Sequence, residues 1–299
     1  MVFNVGLFAG IVSKLKWLAA MGYLALVFQL AGCSGLSVYN RLVPSETNVD
    51  IAASDLAYGQ APRQRLDIYK PQSNPLAAPV IVFFYGGSWN SGRKEDYAFV
   101  GNAFAARGFV VVVADYRLVP EIRFPTFLED CARAVAWVHN NIATFGGDPD
   151  RLFLLGHSAG AYNAAMLALD RRFLENAGLS MRVIRGIATL SGAFDFLPLD
   201  VASTSAAFSN APDPSQTQPI HFVSKTAPTM FLATGDDDTT VKPRQSRQLA
   251  EKLKNAGSKV VLKTYPGIGH VGILLAISIA FRSRAPVVDD VVNFFEGQR

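Results

Sequence analysis

The 299 residues are half apolar and only 17% charged, enough to bury the core of one large domain. Twenty-eight basic against 24 acidic side chains give +4, but Lys14 and Lys16 fall in an acid-free stretch over residues 1–32, so the remainder stands at +2 and offers no argument for nucleic acid as a partner. Two cysteines, Cys33 and Cys131, and four histidines exclude a disulfide framework and a cysteine-rich zinc site, and leave few candidates for any histidine-dependent chemistry.

The chain opens with Lys14 and Lys16 ahead of an apolar run from Trp17 to Phe28 and then Leu30-Ala31-Gly32-Cys33, the layout of an export signal over residues 1–32. The tetrapeptide resembles a bacterial lipobox. That resemblance implies cleavage before Cys33, acylation of its thiol, and a lipoprotein held at the membrane of a bacterial envelope by lipid rather than by a spanning helix. The alternative is an uncut anchor, because no charge occurs between Lys16 and Arg41. Residues 33–57 read as a linker or N-terminal segment, and 58–299 as one domain.

From there short β-rich runs alternate with helical stretches, the signature of a mostly parallel sheet flanked by helices. Strands are predicted over Arg65–Tyr69, Val80–Phe84, Phe109–Ala114, Leu152–Leu155, Val183–Leu190, Met230–Ala233 and Val260–Tyr265. Helices are predicted near Tyr97–Arg107, Pro125–Asn141, Ala161–Asp170, Arg244–Ala256 and Val287–Phe295. Cys131 falls among Phe127, Leu128, Val135 and Val138 at helical spacing and reads as a buried core thiol. Residues 198–226 break the alternation. Rich in Ser, Pro, Ala and Asn, they read as an inserted loop, either over the site or a surface excursion.

Leu152–Leu155 runs into Gly156-His157-Ser158-Ala159-Gly160 and then a helix, so a G-x-S-x-G motif sits at a strand-turn-helix junction. Glycines on either side remove Cβ atoms that would clash in the turn and expose the Ser158 hydroxyl, while the Ala159 N–H lies at a helix start where it can meet an oxyanion. A serine needs a base and an orienting acid, which follow it in the order Ser, Asp or Glu, His. His139 and His157 precede Ser158. Of the remaining two, His270 occupies the glycine-rich turn Pro266-Gly267-Ile268-Gly269-His270 after a predicted strand, whereas His221 lies inside the insertion, upstream of the acid candidates. Those candidates are Asp236, Asp237 and Asp238, among which spacing alone does not choose. A second set of oxyanion donors is expected after Val80–Phe84, at Tyr85-Gly86-Gly87-Ser88-Trp89, from the N–H groups of Gly87 and Ser88.

From about Tyr58 to its end the chain resembles bacterial carboxylesterases of the α/β-hydrolase superfamily, near the hormone-sensitive-lipase and feruloyl-esterase-like branches. The resemblance is carried by the glycine pair, Asp115-Tyr116-Arg117-Leu118-Val119-Pro120, Gly147-Asp148-Pro149-Asp150-Arg151, Gly156–Gly160 and Gly269-His270. It implies an α/β-hydrolase fold and hydrolysis of small or short-acyl esters by Ser158, His270 and Asp238 without metal or organic cofactor. Asp238 is selected because the family pattern G-x-x-D-x-x-V falls on Gly235, Asp238 and Val241. It also implies that Asp115 and Arg117 are structural ion-pair partners. One departure is Tyr85, where such families usually carry histidine. Aryl-formamidases share the scaffold and the glycine-tryptophan loop, so amide hydrolysis is the alternative activity, and a non-catalytic binding protein on this scaffold is the minor one.

Overall fold

In the computed structural model, residues 35–73 and 77–298 are described. The chain divides into two units, 1–42 and 43–299. In the first, the described part is one helix, α1 (Gly35–Leu42); the lipobox and Cys33 lie outside the described residues.

The second unit is built on an eight-stranded sheet: β1 (Val49–Ala57), β2 (Arg65–Pro71), β3 (Ala78–Phe84), β4 (Val110–Ala114), β5 (Gly147–His157), β6 (Ile184–Leu190), β7 (Thr229–Gly235) and β8 (Val260–Tyr265). Their spatial order is β1-β2-β4-β3-β5-β6-β7-β8, antiparallel at the first two pairings and parallel from β4 onward. The parallel centre explains the composition of its strands. Val110 to Val113 and Val80 to Phe84 are buried residue after residue, as strands covered on both faces must be.

The helices are α2 (Ala98–Ala105), α3 (Thr126–Asn141), α4 (Ala159–Leu169), α5 (Arg171–Asn176), α6 (Ala202–Phe208), α7 (Arg244–Asn255), α8 (His270–Leu275) and α9 (Val287–Glu296). Every residue of α4 is buried, and its alanines let it settle onto β3, β5 and β6. The carboxyl ends of β3, β5, β6 and β7 consequently surround the start of α4, the place where parallel sheets with helical crossovers present ligand chemistry.

Two expectations are corrected. Residues 49–57 are not linker but β1, an edge strand paired with β2 through register shifts at Ile51/Ala53 and Ala53/Leu56. Those irregularities break the period-2 pattern and hide the strand from sequence reasoning. The insertion is not shapeless either. It holds α6 and two 3-10 turns, Pro214–Thr217 and Pro219–Phe222, and buries Phe208 completely.

Candidate active site

The turn between β5 and α4 carries Ser158 at φ 54°, ψ −120°, a left-handed backbone that costs a residue with a Cβ roughly 1–3 kcal/mol. Close packing imposes it. A Cβ on Gly160 would meet the Phe84 carbonyl oxygen at 1.9 Å, and one on Gly156 would meet the Gly160 oxygen at 2.3 Å. Strand and helix therefore cross so tightly that the serine is lifted out of the sheet.

His270 opens α8, and its ring bridges two partners. Nδ1 lies 2.8 Å from Asp238 Oδ2 and Nε2 lies 2.9 Å from Ser158 Oγ. With the Nδ1–H donating to the carboxylate, Nε2 is left to accept the serine hydroxyl proton. The second oxygen of Asp238 accepts the backbone N–H groups of Thr240 and Val241 at 3.0 and 2.8 Å. Burial by itself would raise the Asp238 pKa. The His270 hydrogen bond and the Val241 N–H outweigh it, and the carboxyl titrates below its ordinary value. The three adjacent acids are thereby separated by environment. Asp238 is buried, while Asp236 and Asp237 are exposed, Asp236 accepting the Gly267 N–H. His221 is exposed in the insertion, and His139 contacts the Pro149 carbonyl.

After β3 the chain turns back on itself at Gly87 (φ 117°), Ser88 (φ 52°) and Trp89 (φ 60°). The Gly87 carbonyl accepts from Asn90 N, Ser91 N and Ser91 Oγ, each at 3.0 Å. Gly86 lies so near the nucleophile that a Cβ there would come within 2.9 Å of Ser158 Cβ. Ser88 and Ala159 line a cavity of about 410 Å³ together with Ser158 and Trp89. Gly87 is in the same turn but not on that lining.

Tyr85, the departure from the family pattern, is fully buried and is not on this cavity's lining. Its hydroxyl donates to Asp115 Oδ1 at 2.5 Å and accepts from Arg63 Nη2 at 2.8 Å, and its ring stacks on Tyr97 and Tyr116. Burial raises the Asp115 pKa to about 6 against the opposing Tyr85 hydrogen bond and Arg63 charge. Arg117 makes a two-pronged contact with buried Asp130 at 2.9 and 2.8 Å. Both residues are structural, and the Asp115 group braces the turn that holds Gly87 and Ser88: Arg63 also donates to the Gly92 and Tyr116 carbonyls.

Three contributors had no sequence signal. His157 is buried, and its Nε2–H donates to the His270 carbonyl at 3.0 Å, pinning the loop that carries the base. Burial, then the neighbouring His270, push its pKa down to about 3. Gln245 on α7 accepts the N–H groups of Phe194 and Asp195 at 2.7 Å, and Gln218 in the insertion accepts that of Phe196 at 2.7 Å. Together they fix Phe196 beside Trp89, with Phe208 and Tyr162 completing an aromatic cluster. Cys131 is a buried thiol, as its spacing predicts, receiving Asn163 Nδ2 at 3.6 Å. No cluster of metal-ligating side chains occurs among the described residues.

The family model described as BD-FAE matches residues 66–253. An isoprenylcysteine alpha-carbonyl methylesterase of Arabidopsis thaliana is 29% identical over 81% of this chain and 62% of its own length, and Esterase LipQ of Mycobacterium tuberculosis is 29% identical over 82% and 63%. A probable methylesterase of the same kind from Oryza sativa reaches 31% identity over 74% of this chain and 57% of its own. The chain thus spans about three-fifths of the length of these curated relatives. Among solved structures, Esterase B from Lactobacillus rhamnosis superposes with a TM-score of 0.77 at 17% identity, covering 99% of this chain and 96% of that one. A truncated carbohydrate esterase from gut microbiota superposes with a TM-score of 0.75 at 22% identity, covering 86% and 99%. On the family match and the fold together, the chain belongs to the BD-FAE family of α/β-hydrolase esterase domains.

Proposed function

We propose that the protein hydrolyses carboxylic esters of small or short-acyl type through an acyl-enzyme. The observation that carries this reading is the unbroken relay Asp238–His270–Ser158, buried at its acid end and open at its serine end onto a cavity. His270 Nε2 takes the Ser158 proton as Oγ attacks the ester carbonyl, and Asp238 stabilises the imidazolium that forms. Backbone N–H groups of Ala159, Ser88 and Gly87 receive the developing oxyanion; each such donor contributes about 3 kcal/mol to the barrier reduction. His270 then returns the proton to the leaving alcohol, and a water attacks the acyl-enzyme with His270 again as base.

The cavity, about 410 Å³, sits toward the small end of ligand sites, and Trp89, Phe196 and Leu197 give it an apolar wall. This supports a preference for short acyl chains. The test is hydrolysis of 4-nitrophenyl esters from acetyl to palmitoyl by the protein lacking residues 1–33, with Ser158→Ala as control. Serine-dependent turnover declining beyond short chains is the expected result. Turnover of aryl formamides with none of any ester would instead establish an amide hydrolase, and no serine-dependent turnover of either would leave a binding protein.

The Leu30-Ala31-Gly32-Cys33 tetrapeptide supports a further reading, that the protein is exported and held at a bacterial envelope membrane by acyl chains on Cys33.

A further inference from the structure

Two cations stand in the wall of the Ser158 cavity without an ion-pair partner among the described residues. Lys242 and Arg244 both line it, both are exposed, and neither has an ion-pair or side-chain hydrogen-bond partner among the described residues. They are not on loose chain. The N–H groups of Thr240 and Val241, the two residues before Lys242, are fixed on Asp238. Arg244 is the first residue of α7, and the next residue, Gln245, is buried and bonded to the 194–195 backbone. The segment that seats the acid of the relay therefore also seats the backbone of the two cationic residues beside the cavity. The single acid on the lining, Asp200, comes from the insertion and is likewise unpaired. Several cations nearer the core are paired, among them Arg63 with Asp115, Lys94 with Asp67 and Arg117 with Asp130.

An unpaired lysine and arginine converging on a walled cavity raise the local concentration of anions. Because both groups are exposed, their attraction for a bound charge is screened by salt and strongest at low ionic strength. A guanidinium fork next to an ammonium suits a carboxylate, which can take the two prongs of the arginine at once. We propose that the preferred substrates of this site are esters carrying a carboxylate near the scissile bond, held by Lys242 and Arg244 while Ser158 attacks. The inference rests on the ester-hydrolase reading and adds the substrate class to it. Lys242 and Arg244 are specificity-determining residues in it, outside the proton relay.

The experiment compares kcat/KM for two matched pairs of esters. Mono-4-nitrophenyl adipate against 4-nitrophenyl hexanoate places the charge on the acyl side, and 4-carboxyphenyl butyrate against phenyl butyrate places it on the alcohol side. Each ratio is then followed from the wild type to Lys242→Ala/Arg244→Ala and to Asp200→Asn, which cancels intrinsic ester reactivity. In the double variant the ratio for at least one pair is expected to fall by about tenfold or more, an effect of roughly 1.4 kcal/mol. Its neutral member should stay within about twofold of wild type, as removal of charge alone requires. Asp200→Asn should move the same ratio the opposite way, and 0.5 M salt should shrink the wild-type preference on the general grounds of screening. The pair that responds identifies the side of the ester bearing the charge. Equal losses for charged and neutral esters, or unchanged ratios for both pairs, overturn the proposal while Ser158-dependent turnover of the neutral esters leaves the hydrolase reading standing. Absence of turnover of all four esters by the wild type overturns both.

Discussion

His157 shows how much a residue adjacent to the nucleophile can be asked to do without touching substrate. Its Nε2–H holds the His270 carbonyl, but Nδ1 is buried with no partner among the described residues, so a proton added there would meet no protein acceptor. The folded-state pKa of about 3 lies below the ordinary value near 6.5. Between those two values the unfolded chain binds the extra proton and the folded one does not. Stability is therefore full above about pH 6.5 and declines as pH falls toward 3, by up to about 1.4 kcal/mol per pH unit. Chemical denaturation of wild type and His157→Gln at pH 7, 6, 5 and 4 measures this, and the glutamine variant should show a flatter profile. Because the glutamine amide can still donate to His270, its kcat should exceed that of His157→Ala, which leaves the loop unpinned and is expected to lose about tenfold.

Asp238 follows the same proton linkage at lower pH. Its folded pKa is depressed, so its contribution is present above the unfolded value near 3.9 and disappears as pH drops through the folded one. Asp238→Asn keeps the shape but can leave His270 in the wrong tautomer, and kcat should fall by about 10⁴ at neutral pH with little change in KM. Tyr85→Phe acts more gently and at a distance. It strips Asp115 of one donor in a buried site where Lys94 N and Arg63 remain, and a loss of about 1–3 kcal/mol in thermal or chemical unfolding is expected, with turnover reduced only through the looser Gly87–Ser88 turn.

At the scale of elements, legibility followed periodicity and chemistry. The seven strands read from the sequence all form, and the central ones were legible because strands buried on both faces write continuous apolar runs such as Val110–Val113. The elbow was legible because the Gly156 and Gly160 contacts permit no side chain. Neither argument reaches β1, whose alternation is broken by two register shifts, nor α6 and α8, seven and six residues long, too short for a 3.6-residue period to emerge. Likewise, nothing in Gln60-Ala61-Pro62-Arg63-Gln64 marks Arg63 as the brace of a turn some 25 residues later. Its role exists only once β2 lies beside β4. The insertion illustrates the cost of reading composition alone: a polar stretch packs onto the domain by burying Phe208, among other residues, against Trp89, Phe127 and Tyr162. Phe208→Ala should cost about 3–5 kcal/mol if the cluster cannot collapse into the space. It should also raise KM for short esters more than it lowers kcat, because the wall of the cavity loosens while the relay stays intact.

For the molecule as a whole, the distribution of charge separates the catalytic unit from its first 33 residues. The domain is close to electrically balanced, whereas residues 1–32 hold two lysines and no acid, so attraction of the domain to an anionic bilayer is weak and any membrane attachment would have to come from the N-terminal segment. Among the described residues no helix is long and apolar enough to cross a membrane. If attachment is by acyl chains, each buried methylene contributes about 0.8 kcal/mol, and one chain alone holds only marginally, so stable anchoring needs more than one. Cys33 is the residue that would bear them. Produced in a bacterial host fed an alkyne-tagged fatty acid, the full chain should enter the membrane fraction carrying the tag, released by neither high salt nor carbonate. Cys33→Ser should lose the tag and leave that fraction, with unchanged turnover of a soluble neutral ester. A Cys33→Ser protein that stays in the membrane untagged would instead identify residues 17–40 as an uncut spanning anchor, since that uncharged run is long enough to cross the hydrocarbon core on its own.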